Sequence, residues 1–111
     1  MPEKLIEDSS KYKSLIEEYY KGQVVRALVE LQVQANKGDE IAMKLSKLDN
    51  VKDVFLVTGE ADIILKVSFE RTEELMAFIL KEVAKLSGVI DSKVLMILTS
   101  YKEMGRIVIE E

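Results

Sequence analysis

The stretch VKDVFLVTGEADIILKVSF, residues 51–69, sets the architecture. It reads as two apolar runs, 51–58 and 61–69, hinged on a tight turn at Gly59-Glu60. Two runs rich in Val, Ile and Phe with a glycine between them are a hairpin signal. Upstream, residues 23–34 form a further strand. There Val25, Ala27, Val29, Leu31 and Val33 fall on one face of an extended chain, and Arg26, Leu28, Glu30 and Gln32 on the other, a period of two. Between this strand and the hairpin, Asn36-Lys37-Gly38 marks a turn. Asp39 is expected to cap a helix, Glu40 suits its first turn, and Ile41, Leu45 and Leu48 recur at helical spacing. Asp49-Asn50 closes that helix, with Asn50 expected to take the left-handed exit.

Downstream of the hairpin the same order returns. Thr72 is expected to cap a second helix, with Glu73 and Glu74 near its positive end and Leu75, Phe78, Ile79, Val83 and Leu86 as its buried stripe. Ser87-Gly88 ends it, residues 89–100 read as a fourth strand, and a short fifth is expected over residues 106–110 after a turn at Gly105. A shift of 38 residues lays the first half on the second in phase: Val25, Ala27, Val29 and Leu31 on Ile63, Leu65, Val67 and Phe69, and Ile41, Leu45 and Leu48 on Ile79, Val83 and Leu86. One strand–helix–strand unit used twice predicts an α+β fold, the ferredoxin-like βαββαβ arrangement, with both helices on one face of an antiparallel sheet.

The strands are apolar on both faces. Val54 and Leu56 stand against Phe55 and Val57, and Val94, Met96 and Leu98 against Leu95 and Ile97. An antiparallel sheet with one wet face should alternate more cleanly, so the helix-free face is expected to be covered by a second copy in a face-to-face homodimer. A hydrophobic fraction of 48% in 111 residues points the same way, because a chain this short has little interior in which to hide it.

Composition removes whole classes of chemistry. There is no cysteine and no histidine, which excludes disulfides, thiolate nucleophiles, Cys- or His-based metal sites and the commonest general base. Neither a metal nor another cofactor is expected. Net charge is −4, with Lys and Glu interspersed. A nucleic-acid binder needs a basic footprint, so no direct nucleic-acid contact is expected. No apolar run approaches the length of a membrane span, and the charged opening Met1-Pro2-Glu3-Lys4 is unlike a signal peptide. A cytoplasmic protein is therefore expected, and the high charge content with few labile side chains fits a thermophile. Residues 3–21 are expected as an N-terminal helix, with Leu5, Tyr12, Leu15, Ile16, Tyr19 and Tyr20 on one side and Gly22 ending it. The chain then divides into a helical extension, 1–22, and one domain, 23–111.

With these elements in place, Val57-Thr58-Gly59-Glu60-Ala61-Asp62-Ile63-Ile64-Leu65 resembles the Gly-x-x-Asp hairpin of the Lrp/AsnC regulators. Leu86-Ser87-Gly88-Val89, leading to Ser92-Lys93-Val94, resembles that family's Gly-Val-x-x-Thr-x-Thr segment, and Asn50-Val51 sits where the family often has its first Gly-Val. The resemblance covers residues 23–100. It implies the effector-binding and oligomerisation domain of that family, the RAM domain: dimers formed through the sheets, gathered into a tetramer, octamer or larger ring, with an amino acid bound between dimers near the Gly-x-x-Asp turn. The ligand-binding residues it implies are Gly59, Glu60, Ala61, Asp62, Ser92, Val94 and Met96.

The chain departs from the family pattern in three places. Too few residues precede the first strand for a helix-turn-helix domain, so a stand-alone RAM protein is expected. Val94 replaces the second hydroxyl of Thr-x-Thr, and Asp91 stands where the family often has Arg, so the effector is expected to differ from the usual ones.

Asp62 has two readings. It follows a turn and opens an apolar strand, where it suits the ammonium of an amino acid while the turn's N–H groups suit its carboxylate. It equally suits the plainer task of bonding local backbone. Two other functions stand beside the sensing module. One is a structural partner of full-length Lrp/AsnC regulators; the other is an enzyme on a ferredoxin-like dimer, disfavoured by the absent histidine and the aliphatic strand interiors.

Overall fold

The computed structural model describes residues 22–109; the expected N-terminal helix lies outside them. The first body of the chain, residues 23–97, runs β1 (Val25–Val33), α1 (Gly38–Ser46), β2 (Val51–Leu56), β3 (Ile63–Phe69), α2 (Thr72–Ala77) continuing directly into a π-helical turn (Phe78–Val83), and β4 (Val89–Met96). The four strands form one antiparallel sheet in the order β2-β3-β1-β4. This is the ferredoxin-like arrangement, with the two first strands of the repeated unit, β1 and β3, paired at its centre.

Register explains which residues are buried. Val25 pairs with Phe69, Ala27 with Val67, Val29 with Leu65 and Leu31 with Ile63, so these side chains share one face. That face is the core: Ala27, Val29, Leu31, Ile63, Leu65 and Val67 have no exposed surface. Ile41 and Leu45 from α1, and Leu75, Phe78, Ile79 and Val83 from the second helix, are buried in the same cluster. The Phe69 and Phe78 rings meet at 5.4 Å and 49°, an attractive tilted geometry. The opposite face of the sheet carries Leu28, Leu95, Ile64 and Phe55 among charged neighbours, and Phe55 remains 55% exposed.

The helix starts differ from expectation. Asp39 is not the cap of α1: Lys37 is, and Asp39 lies in the first turn with Glu40, where a carboxylate still meets the positive end of the helix dipole. Thr72 is likewise the first helical residue and not the cap of α2, which is Arg71. The Glu74 carboxylate reaches back to accept the N–H groups of Glu70 and Arg71 at 3.1 and 3.2 Å. A glutamate inside the first turn therefore ties down the two residues that lead into the helix.

Asn50 does not adopt the left-handed conformation; of the described non-glycine residues, Met104 does. Asn50 instead ties the α1 exit to β3. Its Nδ2 donates to the Ser68 carbonyl at 2.7 Å, and its own carbonyl accepts the Ser68 N–H at 2.9 Å. The second helix is not α-helical throughout. Its last part closes i to i−5, as in Ala84 N–H to the Ile79 carbonyl at 2.9 Å.

Strand ends also differ from expectation. β2 stops at Leu56 and β3 starts at Ile63, so the hairpin is not the tight Gly59-Glu60 turn. The loop is closed lower down, by Val57 N–H to the Asp62 carbonyl at 2.9 Å. β4 ends at Met96 rather than residue 100 because its only described neighbour, β1, runs out: Ile97 N–H to the Arg26 carbonyl is the last such bond. The second body contributes a two-stranded hairpin, β5 (Lys102–Glu103) with β6 (Arg106–Ile107), turning through Met104 and Gly105. The expected fifth strand is thus shorter and paired locally.

At Gly88 the two repeated halves lie close together. Its φ is +100°, and a Cβ there would lie 2.9 Å from both Cβ and Cγ of Lys37 and 3.2 Å from Ile41 Cδ1. Its carbonyl accepts the Gln34 N–H at 2.8 Å. Gly88→Ala meets both a disfavoured backbone conformation and atoms that cannot swing away, and should cost roughly 1–3 kcal/mol or more. Gly59→Ala, at φ +121° but with nothing within 4 Å, should cost less. Urea denaturation of the two variants checks the order.

Candidate functional site

The turn between β2 and β3 is anchored at both ends. Asp62 N–H donates to the Leu31 carbonyl at 2.9 Å, and its carbonyl accepts from Val57. Its carboxylate oxygen Oδ2 accepts the Val33 N–H, also at 2.9 Å. Val33 needs such a partner: the β1–β4 register slips between Gln32 and Val33, and the β1–β3 pairing has already ended at Leu31. The plain reading of Asp62 therefore has a bond behind it. A second tie comes from Gln32, whose Nε2 donates to the Glu60 carbonyl at 3.2 Å. It draws the turn over the helix-free face of β1.

This arrangement leaves a cleft on each side of the turn. The first, about 150 Å³, has the Glu60-Ala61 segment on one side, Asp91, Ser92 and Lys93 of β4 on the other, and Glu30, Leu31 and Gln32 of β1 as its floor. Register accounts for the meeting of these residues: Gln32 lies opposite Asp91, Leu31 opposite Ser92 and Glu30 opposite Lys93. The second cleft, about 310 Å³, lies between the β1–α1 connection and the end of β2, lined by Val33, Gln34, Ala35, Asn36, Gly38, Asp39, Leu56, Val57 and Asp62.

The sequence-derived site is divided by this geometry. Glu60, Ala61 and Ser92 come together in the first cleft, and Asp62 lines the second. Gly59, Val94 and Met96 line neither. Val94 and Met96 pair with Val29 and Ala27, on the helix-covered side of the sheet. Glu30, Gln32, Asp91 and Lys93 are not among the expected ligand residues. Their signal is the register between β1 and β4, which no single strand displays. The first cleft carries both signs of charge, three carboxylates and one ammonium, and Ser92 also lines it. Among the described residues, no His, Cys, Asp or Glu cluster is arranged to hold a metal, and no helix is long and apolar enough to cross a membrane.

Comparison with known proteins identifies the family and the fold. The Lrp/AsnC ligand binding domain matches residues 26–107. An uncharacterised HTH-type transcriptional regulator of Pyrococcus furiosus is 35% identical over 95 residues, which cover 86% of this chain and 64% of that protein. The chain thus spans less than two-thirds of that relative. A hypothetical protein of Pyrococcus horikoshii, known from its crystal structure, superposes with a TM-score of 0.65 at 26% identity, covering 70% of this chain and 94% of that one. A Neisseria meningitidis transcriptional regulator crystallised with L-Met superposes with a TM-score of 0.71 at 20% identity, covering 78% of this chain and 57% of that one.

The Asp62–Val33 bond yields a stability prediction. Asp62→Ala leaves a part-buried N–H without its acceptor and should cost about 1–3 kcal/mol. Asp62→Asn keeps an acceptor oxygen and should cost less than about 1 kcal/mol. Equal losses in urea denaturation would show that the charge, and not the hydrogen bond, holds the turn.

Proposed function

Because the chain belongs to the Lrp/AsnC ligand binding domain family, we propose that it is an oligomeric regulatory module that senses a small amino-acid-like effector in the cleft between the Glu60-Ala61 turn and β4. The observation that carries this reading is the charge layout of the cleft. An α-amino acid presents an ammonium and a carboxylate a few ångströms apart. Glu30, Glu60 and Asp91 suit the first and Lys93 the second, with Ser92 beside them in the lining. Asp62 takes a supporting role in the first cleft, since its bond to Val33 fixes where the turn stands. In the second cleft it is available to a ligand together with Asp39.

Two further observations support the reading. The matched Pyrococcus relative is a transcriptional regulator by name, and the similarly folded Neisseria regulator was crystallised with L-Met. The first cleft is small beside the roughly 300–1,000 Å³ of drug-sized pockets, which suits a metabolite the size of an amino acid. Regulation and not catalysis is the role proposed, since the chain has neither His nor Cys and the cleft has no buried nucleophile.

The helix-free sheet face supplies the assembly surface in this proposal. Leu28 and Leu95 pair directly across it at 37% and 39% exposure, and Phe55 lies on the same face. A second copy covering that face would bury them.

Titration calorimetry and thermal shift with the twenty amino acids test the sensing role. A ligand at 100 times its Kd should add about 2.7 kcal/mol of stability, and Ser92→Ala or Lys93→Met should weaken it about tenfold, the equivalent of one lost hydrogen bond. Silence across all twenty would move the structural-partner reading ahead. For assembly, Leu28→Asp places a charge where the proposed dimer is dry and should shift sedimentation toward monomer. A wild type that sediments as a monomer would refute the dimer.

A further inference from the structure

The hairpin β5–β6 has one covered side. Glu103 lies opposite Arg106 and Lys102 opposite Ile107, and Val108 N–H donates to the Tyr101 carbonyl at 2.9 Å, one step further along. Opposed residues share a side and neighbours alternate, so Glu103, Arg106, Tyr101 and Val108 stand on one side, Lys102 and Ile107 on the other. Glu103 and Val108 are 8% and 9% exposed, whereas Ile107 is 37% exposed and Tyr101, at the end of the pairing, 70%. Two strands of two residues each do not bury side chains unaided, so a further segment covers Glu103 and Val108.

Where the chain enters and leaves the sheet points to the occupant. The body that holds the hairpin is drawn from both chain ends, residues 1–22 and 98–111. The two ends meet the sheet side by side: Ile97, the residue before that body resumes, donates its N–H to the Arg26 carbonyl at 2.9 Å. Gln23, the residue after its first part, is fixed by the buried Ser68, whose hydroxyl donates to the Gln23 Oε1 at 2.7 Å. Gly22 has φ +76°, the left-handed conformation that commonly closes a helix. The surfaces also match in kind. The apolar side expected for residues 5–20 is rich in tyrosine, with Tyr12, Tyr19 and Tyr20 beside Leu5, Leu15 and Ile16. Tyrosine joins an apolar ring to a hydroxyl that seeks a partner, which suits a surface where Val108 adjoins a buried carboxylate. We propose that residues 5–20 form an amphipathic helix whose apolar side covers Glu103 and Val108 of the same chain, so that the N-terminal segment is the clasp for the C-terminal hairpin. This contact is independent of the effector reading and of the face-to-face dimer.

The absence of native cysteine makes the test direct. In the full chain, Val108→Cys is combined in turn with Tyr12→Cys, Ile16→Cys and Tyr19→Cys, and with Ser14→Cys on the opposite side of the expected helix. A disulfide needs Cβ atoms about 3.5–4.5 Å apart. At least one of the three apolar-side pairs should therefore close within a single chain about tenfold faster than the Ser14 pair under mild oxidation. The proposal fails if none of the three outpaces the Ser14 pair. It fails equally if the links join two chains, seen as a dimer on a non-reducing gel, since the cover then comes from a second copy. Should Val108→Cys lose the native circular dichroism, trypsin decides the matter on Ile16→Asp in the otherwise native chain. Cleavage after Lys102 and Arg106 should quicken about tenfold over the wild type, while Ser14→Asp leaves it unchanged. An unchanged rate in Ile16→Asp, or equal quickening in Ser14→Asp, overturns the proposal.

Discussion

The Asp62 carboxylate on the Val33 N–H, at 2.9 Å, is the bond on which this end of the sheet depends. Beyond Leu31 the central pairing of β1 with β3 stops, and beyond Gln32 the pairing with β4 loses register. A backbone N–H left there unpaired would favour fraying of β1. The same residue accepts from Val57 and donates to Leu31, so β1 and the two arms of the hairpin are drawn to one point. Neighbouring segments inherit their positions from it. The turn is held near β1, Gln32 can reach the Glu60 carbonyl, and a cleft opens toward β4 on one side and toward α1 on the other.

The fold is legible in the sequence because its signals are local or periodic. Alternation in β1 sorts Val29 from Glu30 without reference to any partner, and the 38-residue self-similarity carries the topology, since a unit that recurs must pack against its own copy. The departures have equally local causes. Thr72 loses the cap because the helix already starts there, with Glu74 bonding the N–H groups of Glu70 and Arg71 ahead of it. Asn50 has no need of the left-handed exit because its side chain bonds Ser68. Tight-turn chemistry at Gly59-Glu60 gives way to a wider loop because Asp62 closes it from below.

The site is less legible, for a reason of dimensionality. Glu60, Ala61 and Asp62 are adjacent in the chain and can be read together. Glu30, Gln32, Asp91 and Lys93 become neighbours only through the register of β1 on β4, a quantity that belongs to two strands at once. Ser92 reaches the cleft while Val94 and Met96 do not, although a motif read along one strand treats all three alike.

The π-helical turn at Phe78–Val83 gives the two halves different tolerances to change in length. A π segment closes its hydrogen bonds i to i−5 and so takes up more residues per turn than an α-helix. Here it lets Phe78 sit on Phe69 while Val83 remains fully buried. The first half has no such reserve, since α1 runs as a regular helix from Gly38 to Ser46 and leads at once into the Asn50–Ser68 bonds. A single-residue deletion within 78–83 can relax toward an ordinary α-helix. The same deletion in 38–46 would rotate Ile41 and Leu45 away from the core. The duplicated unit has thus become asymmetric in its capacity to vary, and insertions and deletions among descendants of this domain should accumulate in the second helix, not the first.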